Sequence, residues 1–259
     1  MSIIFFVICL LASSIGAIVG AGGGVIIKPV MDAVGLIPVS SVSFLSGCTV
    51  LAMSCSSLIK TRNNGIELKL KTTVPLAIGA ATGGVVGKLL FELVRNQYGS
   101  ENLLGTVQAA MLAGFTLLIL IYVIYKDKLP QKNVDSVFVA LIIGLVLGCM
   151  SSFLGIGGGT SNVAVLFFFF SMDAKEAAKN SIFIIMFSQI ASIILAVASH
   201  TVPQFEWMHL ISMIIGGIGG ALIGAKISSK ISSKNVETVL KCLLVVIAII
   251  NIRNFINFI

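Results

Sequence analysis

A glycine-rich phrase occurs twice in the chain, as Gly20-Ala21-Gly22-Gly23-Gly24 and, 135 residues later, as Gly155-Ile156-Gly157-Gly158-Gly159, each closing a long apolar segment. Glycine weakens the interior of a helix and permits backbone that other residues avoid. Three in near succession at two matching places predict a duplicated chain, broken at the same station in each copy. Ser46 and Ser181 repeat the 135-residue offset, and Gly83-x-x-x-Gly87 recurs as Gly220-x-x-x-Gly224 at an offset of 137.

The chain has 259 residues, of which 57% are apolar and 10% charged, with a mean hydropathy of +1.09. A soluble domain of this length does not carry so little charge, so the chain belongs in a bilayer. Its net charge of +7 would suggest nucleic acid in a soluble protein. In a multispanning protein the same excess marks cytoplasmic loops, and no nucleic-acid partner is expected. The cysteines (Cys9, Cys48, Cys55, Cys149, Cys242) all lie in apolar segments without C-x-x-C spacing and read as small packing residues. Residues 1–15 lack a basic leader and belong to the first copy, so they are expected to remain as structure.

Hydropathy divides the chain into apolar segments near 2–21, 24–36, 39–59, 72–93, 103–125, 136–156, 159–172, 176–200, 205–226 and 237–258. That is five per half, giving a first repeat over 1–125, a cytoplasmic linker over 126–135 and a second repeat over 136–259. Eight segments are long enough for a hydrocarbon core of about 30 Å. The short pair, 24–36 and 159–172, follows the glycine phrases and reads as broken or re-entrant helices, which lipid tolerates only where protein or a wet cavity covers the unwound backbone.

The distribution of lysine and arginine selects the topology. If each short segment folds back with its predecessor, or crosses, one side holds thirteen basic residues, among them Lys60, Lys69, Lys126, Lys175, Lys179 and Lys230. The other side holds Arg95, Arg253 and Lys88, leaving Lys28 within the membrane. Four crossings per half would spread the same residues evenly. The positive-inside rule thus favours odd parity, both termini outside the cytoplasm, and an all-α integral membrane protein made of two inverted repeats.

Paired interrupted helices in inverted repeats are the architecture of secondary transporters, with the site near the midplane. A helix starting at a glycine break offers unpaired N–H groups and the positive end of its dipole. Two such starts, at Gly22, Gly23 and Gly24 and at Gly157, Gly158 and Gly159, predict an anion site. Lys28 is a candidate ligand as an intramembrane cation, although Asp32 at i+4 could equally neutralise it. The second copy offers the uncharged Asn162, so charge in the site is asymmetric. Ser46, Asn180, Ser181 and Gln189 complete the candidates, being polar groups in otherwise apolar spans. His200 and His209 flank the loop at 200–205 and are expected to be solvated, with Trp207 as an interface anchor.

The two glycine phrases, Asn180-Ser181, His200 followed by Phe205-Glu206-Trp207, and the run Gly216-Gly217-x-Gly219-Gly220-x-x-x-Gly224-Ala225-Lys226 together resemble the sulfite exporter TauE/SafE family over nearly the whole chain. The resemblance implies a prokaryotic plasma-membrane or inner-membrane transporter of sulfur-containing anions such as sulfite or organosulfonates, without a bound metal or cofactor. Two departures from the family pattern are the proline after the first phrase only (Pro29) and a degraded G-T-S stretch, Leu45-Ser46-Gly47 and Lys179-Asn180-Ser181.

Other classes fit less well. A thiol–disulfide electron carrier would use Cys9 and Cys149, neither of which has a thiolate-stabilising neighbour in sequence. An intramembrane hydrolase would need a nucleophile and base or a metal set, and neither H-E-x-x-H nor G-x-S-x-G is present. No enzymatic activity is expected. An anion channel remains an alternative to a carrier, and a coupling proton or sodium ion is not specified by the sequence.

Overall fold

The computed structural model describes every residue except 1, 63, 64, 67, 99, 100, 129–132, 157 and 259. It is all-helical: α1 (Ser2–Val19), α2 (Gly24–Val34), α3 (Val39–Lys60), α4 (Leu70–Tyr98), α5 (Glu101–Tyr125), α6 (Val137–Leu154), α7 (Gly159–Phe170), α8 (Ala174–Ala198), α9 (Trp207–Lys230) and α10 (Ser233–Phe258). Eight of these are long and apolar enough to cross a membrane, and the exceptions are the expected short pair, α2 and α7. The outer surface is apolar, with Ile3, Leu118, Phe138, Ile194 and Ile249 all exposed, which only lipid can satisfy on this scale.

Local chemistry sets the short helices. Gly35 stops α2 in a left-handed conformation, its N–H bonded to the Met31 carbonyl, and Ser171 stops α7 at φ 48°. Two residues on, Asp173 starts α8 with a capping box, accepting from the N–H groups of Lys175 and Glu176 at 2.8 and 2.9 Å. Such reciprocal caps satisfy donors that a helix start otherwise leaves bare.

The ten helices pack so that equivalent pairs exchange between halves. α1 packs most extensively on α9, and its counterpart α6 packs on α4. Likewise α3–α9 answers α8–α4, and α2–α10 answers α7–α5, while α3–α8, α5–α10 and α2–α7 pair each helix with its own counterpart. The two seams match atom by atom. A Cβ on Gly79, Gly83 or Gly87 would run into the carbonyls of Leu141, Leu145 and Cys149, and one on Gly216, Gly220 or Gly224 into those of Phe6, Leu10 and Ser14. The glycines differ by 137 and the carbonyls by 135, as the sequence echoes do. Backbones this close are the product of small residues in a lipid-embedded interface, where dispersion and close carbonyl contacts replace the hydrophobic drive.

Each break turns its helix back on itself. α1 and α2 form a hairpin whose ends share a cluster of Phe5, Cys9, Ile27, Met31, Val42 and Leu45, at the Pro38 end of α3. α6 and α7 form a second hairpin, where Phe170 bridges to Asn133 ahead of α6. α8 then begins, and its Lys179 reaches the Thr61 carbonyl at the other end of α3. The hairpins thus open toward opposite ends of α3 and meet at their tips.

Candidate functional site

The tips cross at the middle of α3 and α8. Gly22 faces Val50 and Ile185, which are themselves 135 residues apart, and a Cβ on Gly24 would meet Val50 and the Ile156 carbonyl of the other phrase. A Cβ on Gly159 would meet Val25 and the Ala21 carbonyl. The turn into each break needs a left-handed residue, supplied by Gly20 at φ 75° and Gly155 at φ 67°, a conformation costly for any residue with a Cβ. Gly20 lies on Ala178 and Gly155 on Ser43, again an exchanged pair.

Gly23 and Gly158 stand at the N-caps of α2 and α7, neither with a side-chain cap. The Gly23 N–H points at the Met53 sulfur, 3.0 Å away, a weak acceptor. Two buried helix starts so sparsely capped supply the donors and dipole ends that favour negative charge. Gly22, Gly23, Gly24, Gly158 and Gly159 are all buried. The position of Gly157 lies outside the described residues.

The remaining sequence candidates divide into engaged and uncommitted groups. Lys28 is wholly buried and its Nζ lies 2.6 Å from Asp32 Oδ2, so of the two readings open to it the structure contains the ion pair. Asn180 is engaged at both ends of its amide: Oδ1 accepts from the Lys69 N–H at 3.1 Å and from the Thr73 hydroxyl, and Nδ2 donates to the Glu176 carbonyl. It caps the start of α4 from α8. Ser181 donates to the Gly20 carbonyl at 2.7 Å, which fixes the first glycine turn. Ser46 Oγ and Asn162 Oδ1, by contrast, are buried with no partner among the described residues. Gln189 Oε1 lies 2.8 Å from where a Cβ on Gly47 would be.

Hydropathy reading missed several buried polar groups. Ser13 Oγ would lie 2.7 Å from a Cβ on Gly23 and is unpartnered among the described residues, as are Ser151 and both polar atoms of Asn251. Asn254, one turn beyond Asn251, donates to the Pro29 carbonyl at 2.8 Å. Asparagines at i and i+3 in the apolar span 237–258 were the available signal, since amides are costly to bury without purpose. A cleft of about 500 Å³ lined by Asp32, Asn102, Asn254 and Asn257 reaches the Lys28–Asp32 pair from the Pro38 end.

His209 corrects the expectation of a solvated histidine. It is 5% exposed, edge-on to Phe5 with ring centroids 4.7 Å apart, and its Nε2 lies 3.3 Å from Glu206. Packing of α9 on α1 draws it inward, while His200 stays exposed and Trp207 is 71% exposed. Among the described residues, no three of histidine, cysteine, aspartate and glutamate are grouped to hold a metal. Cys9 lies in the α1–α9 seam and Cys149 in the α4–α6 seam, and both are free thiols.

A profile of the sulfite exporter TauE/SafE family matches residues 5–250. The chain belongs to that family. A curated relative in Bacillus subtilis (strain 168), the probable membrane transporter protein YunE, is 23% identical over 283 aligned positions that cover 95% of each chain. No solved structure matches. Both glycine phrases, both seams and the short helices fall inside the TauE/SafE match, so the crossing is a feature of the family region and not of an appendage.

Proposed function

We propose that this multi-pass membrane protein is a secondary transporter of small sulfur-containing anions, sulfite, an organosulfonate or a related oxyanion, working by alternating access at the glycine crossing. The observation that carries the reading is the meeting of two broken helices halfway along α3 and α8, Gly24 against Ile156 and Gly159 against Ala21. Starts of two helices aimed at one place make an anion site without any lysine. The family name supports the sulfur chemistry, and the relative's name supports transport.

In this reading the two halves are inverted repeats with both termini outside the cytoplasm. The site is formed by Gly22, Gly23, Gly24, Gly157, Gly158 and Gly159, with Ser46, Asn162 and Gln189 supplying uncommitted polar atoms. Asn180, Ser181 and Lys28 hold the scaffold around it. A proton or sodium gradient would drive the cycle.

Reconstituted vesicles test the proposal. Labelled sulfite, thiosulfate, sulfoacetate and taurine are supplied in turn, and one or more is expected to accumulate saturably. Gly23→Leu and Gly158→Leu, each checked for folding, are expected to abolish that flux. Indifference of every anion flux to both changes would remove the crossing from the mechanism.

A further inference from the structure

Two small cavities lie on opposite sides of the crossing. One, of about 30 Å³, is lined by Ser43, Gly47, Lys88, Ser152, Gln189 and Ser192 among others. The other, of about 20 Å³, is lined by Ala17, Ser57, Ala178, Lys179, Ile182 and Ala225 among others. Their linings correspond at the offsets of the duplication: Ser43 with Ala178, Gly47 with Ile182, Ser192 with Ser57, Ser152 with Ala17 at 135, and Lys88 with Ala225 at 137. The cavities are one compartment built twice.

Their separation follows from the helices they share. Ser43 and Ser57 on α3, and Ala178 and Ser192 on α8, are each fourteen residues apart, which is about 21 Å at 1.5 Å per residue. Val50 and Ile185, the residues under Gly22, fall halfway between. Each volume suffices for a water or two, and a sulfur oxyanion would have to widen it.

The charges are what duplication does not explain. Each cavity carries a lysine, but from different positions: Lys88 stands where the other copy has Ala225, and Lys179 where the first copy has Phe44. An inherited residue would recur at the matching place. Lys88 Nζ lies 2.7 Å from Glu92 and over the ring of Phe91, and Lys179 Nζ donates to the carbonyls of Thr61 and Ile66 at 2.9 and 2.5 Å. Burying an ammonium is expensive unless it meets an oxygen ligand. At the first cavity there is a second polar group, the amide of Gln189, which is 4% exposed and makes no hydrogen bond among the described residues.

We propose that the two cavities are paired anion-binding stations, entered from opposite faces of the membrane, with Lys88 holding the anion on one side of the crossing and Lys179 on the other. An oxyanion arriving at either exchanges with the present oxygen partners of that lysine. The second copy reaches the same electrostatics by another residue because the station needs its cation wherever the fold can seat one. The inference rests on the transporter reading and adds to it where the substrate waits before and after the midplane.

Cysteine accessibility tests it, in a background where the five native cysteines are replaced. Ser192→Cys and Ser57→Cys are made singly and treated from one face at a time with a membrane-impermeant thiol reagent, using sulfate and sulfoacetate as probe anions inert to it. Ser192→Cys is expected to react from the Pro38-end face and Ser57→Cys from the Thr61-end face. Either anion is expected to slow each reaction by roughly fivefold, the factor for about 1 kcal/mol. Lys88→Gln should remove that protection only at Ser192→Cys, and Lys179→Gln only at Ser57→Cys, with Lys88→Arg and Lys179→Arg restoring it. Labelling of both from one face, or protection indifferent to both lysines, overturns the stations even if anion flux persists. Loss of flux for every sulfur anion with protection intact would instead sink the transporter reading and leave the stations standing.

Discussion

The hydroxyl of Ser181 donates to the carbonyl of Gly20 across 2.7 Å, tying a span of the second half to the turn that opens the first break. The equivalent donor in the other half, Ser46, has no partner among the described residues. Ser181→Ala leaves the buried Gly20 carbonyl short of a donor, and a loss of about 1–3 kcal/mol of stability is expected. Ser46→Ala removes an unsatisfied hydroxyl and should leave stability within about 0.5 kcal/mol. Thermal unfolding of the two variants in detergent gives the comparison, and equal losses would contradict the asymmetry.

Lys28 and Asp32 give a second expectation. Removing one member of a buried pair strands the other, at about 3–5 kcal/mol. Lys28→Ala is therefore expected to fold poorly, and Lys28→Ala with Asp32→Ala to recover most of the loss. If the double variant is stable yet binds no anion, while Lys28→Ala alone is equally stable, Lys28 is a ligand and not a strut.

The seam glycines are expected to separate by position. Gly83→Ala and Gly220→Ala push a methyl into the Leu145 and Leu10 carbonyls and should each cost about 1–3 kcal/mol. Gly114→Ala, with nothing within 4 Å of its added methyl, should be neutral or stabilising by up to about 1 kcal/mol. A melting series in one lipid–detergent mixture reads all three.

Asn180→Ala removes the acceptor that Lys69 N–H and Thr73 share. Reduced stability with an unchanged KM for whichever anion is carried is the expected pattern, because the amide holds the start of α4. A raised KM at wild-type stability would return Asn180 to the substrate.

What the sequence disclosed follows from what hydropathy can encode. The apolar runs and glycine phrases placed all ten helices, and the short pair ends at Val34 and Phe170, near the expected 36 and 172, because Gly35 and Ser171 turn left-handed there. Position along the chain was legible, but azimuth was not. Nothing in the local pattern says that His209 turns toward Phe5, that Met53 receives the Gly23 N–H, or that Asn180 reaches α4 instead of the crossing. Each depends on a partner helix more than 25 residues away, and in membrane helices uniform apolarity hides which face meets protein. The crossing was therefore visible as backbone, through its glycines, and its side-chain surroundings were poorly visible.

The exchanged seams bear on how the chain comes to be made. A ribosome that has released α1 through α5 has produced one glycine-lined groove, on α4, and one helix, α1, that awaits the glycines of α9, and neither α6 nor α9 yet exists. Either half alone could close these seams only on another molecule, so carrying both halves in one polypeptide makes their closure an order of synthesis, with the first half kept open until the second arrives.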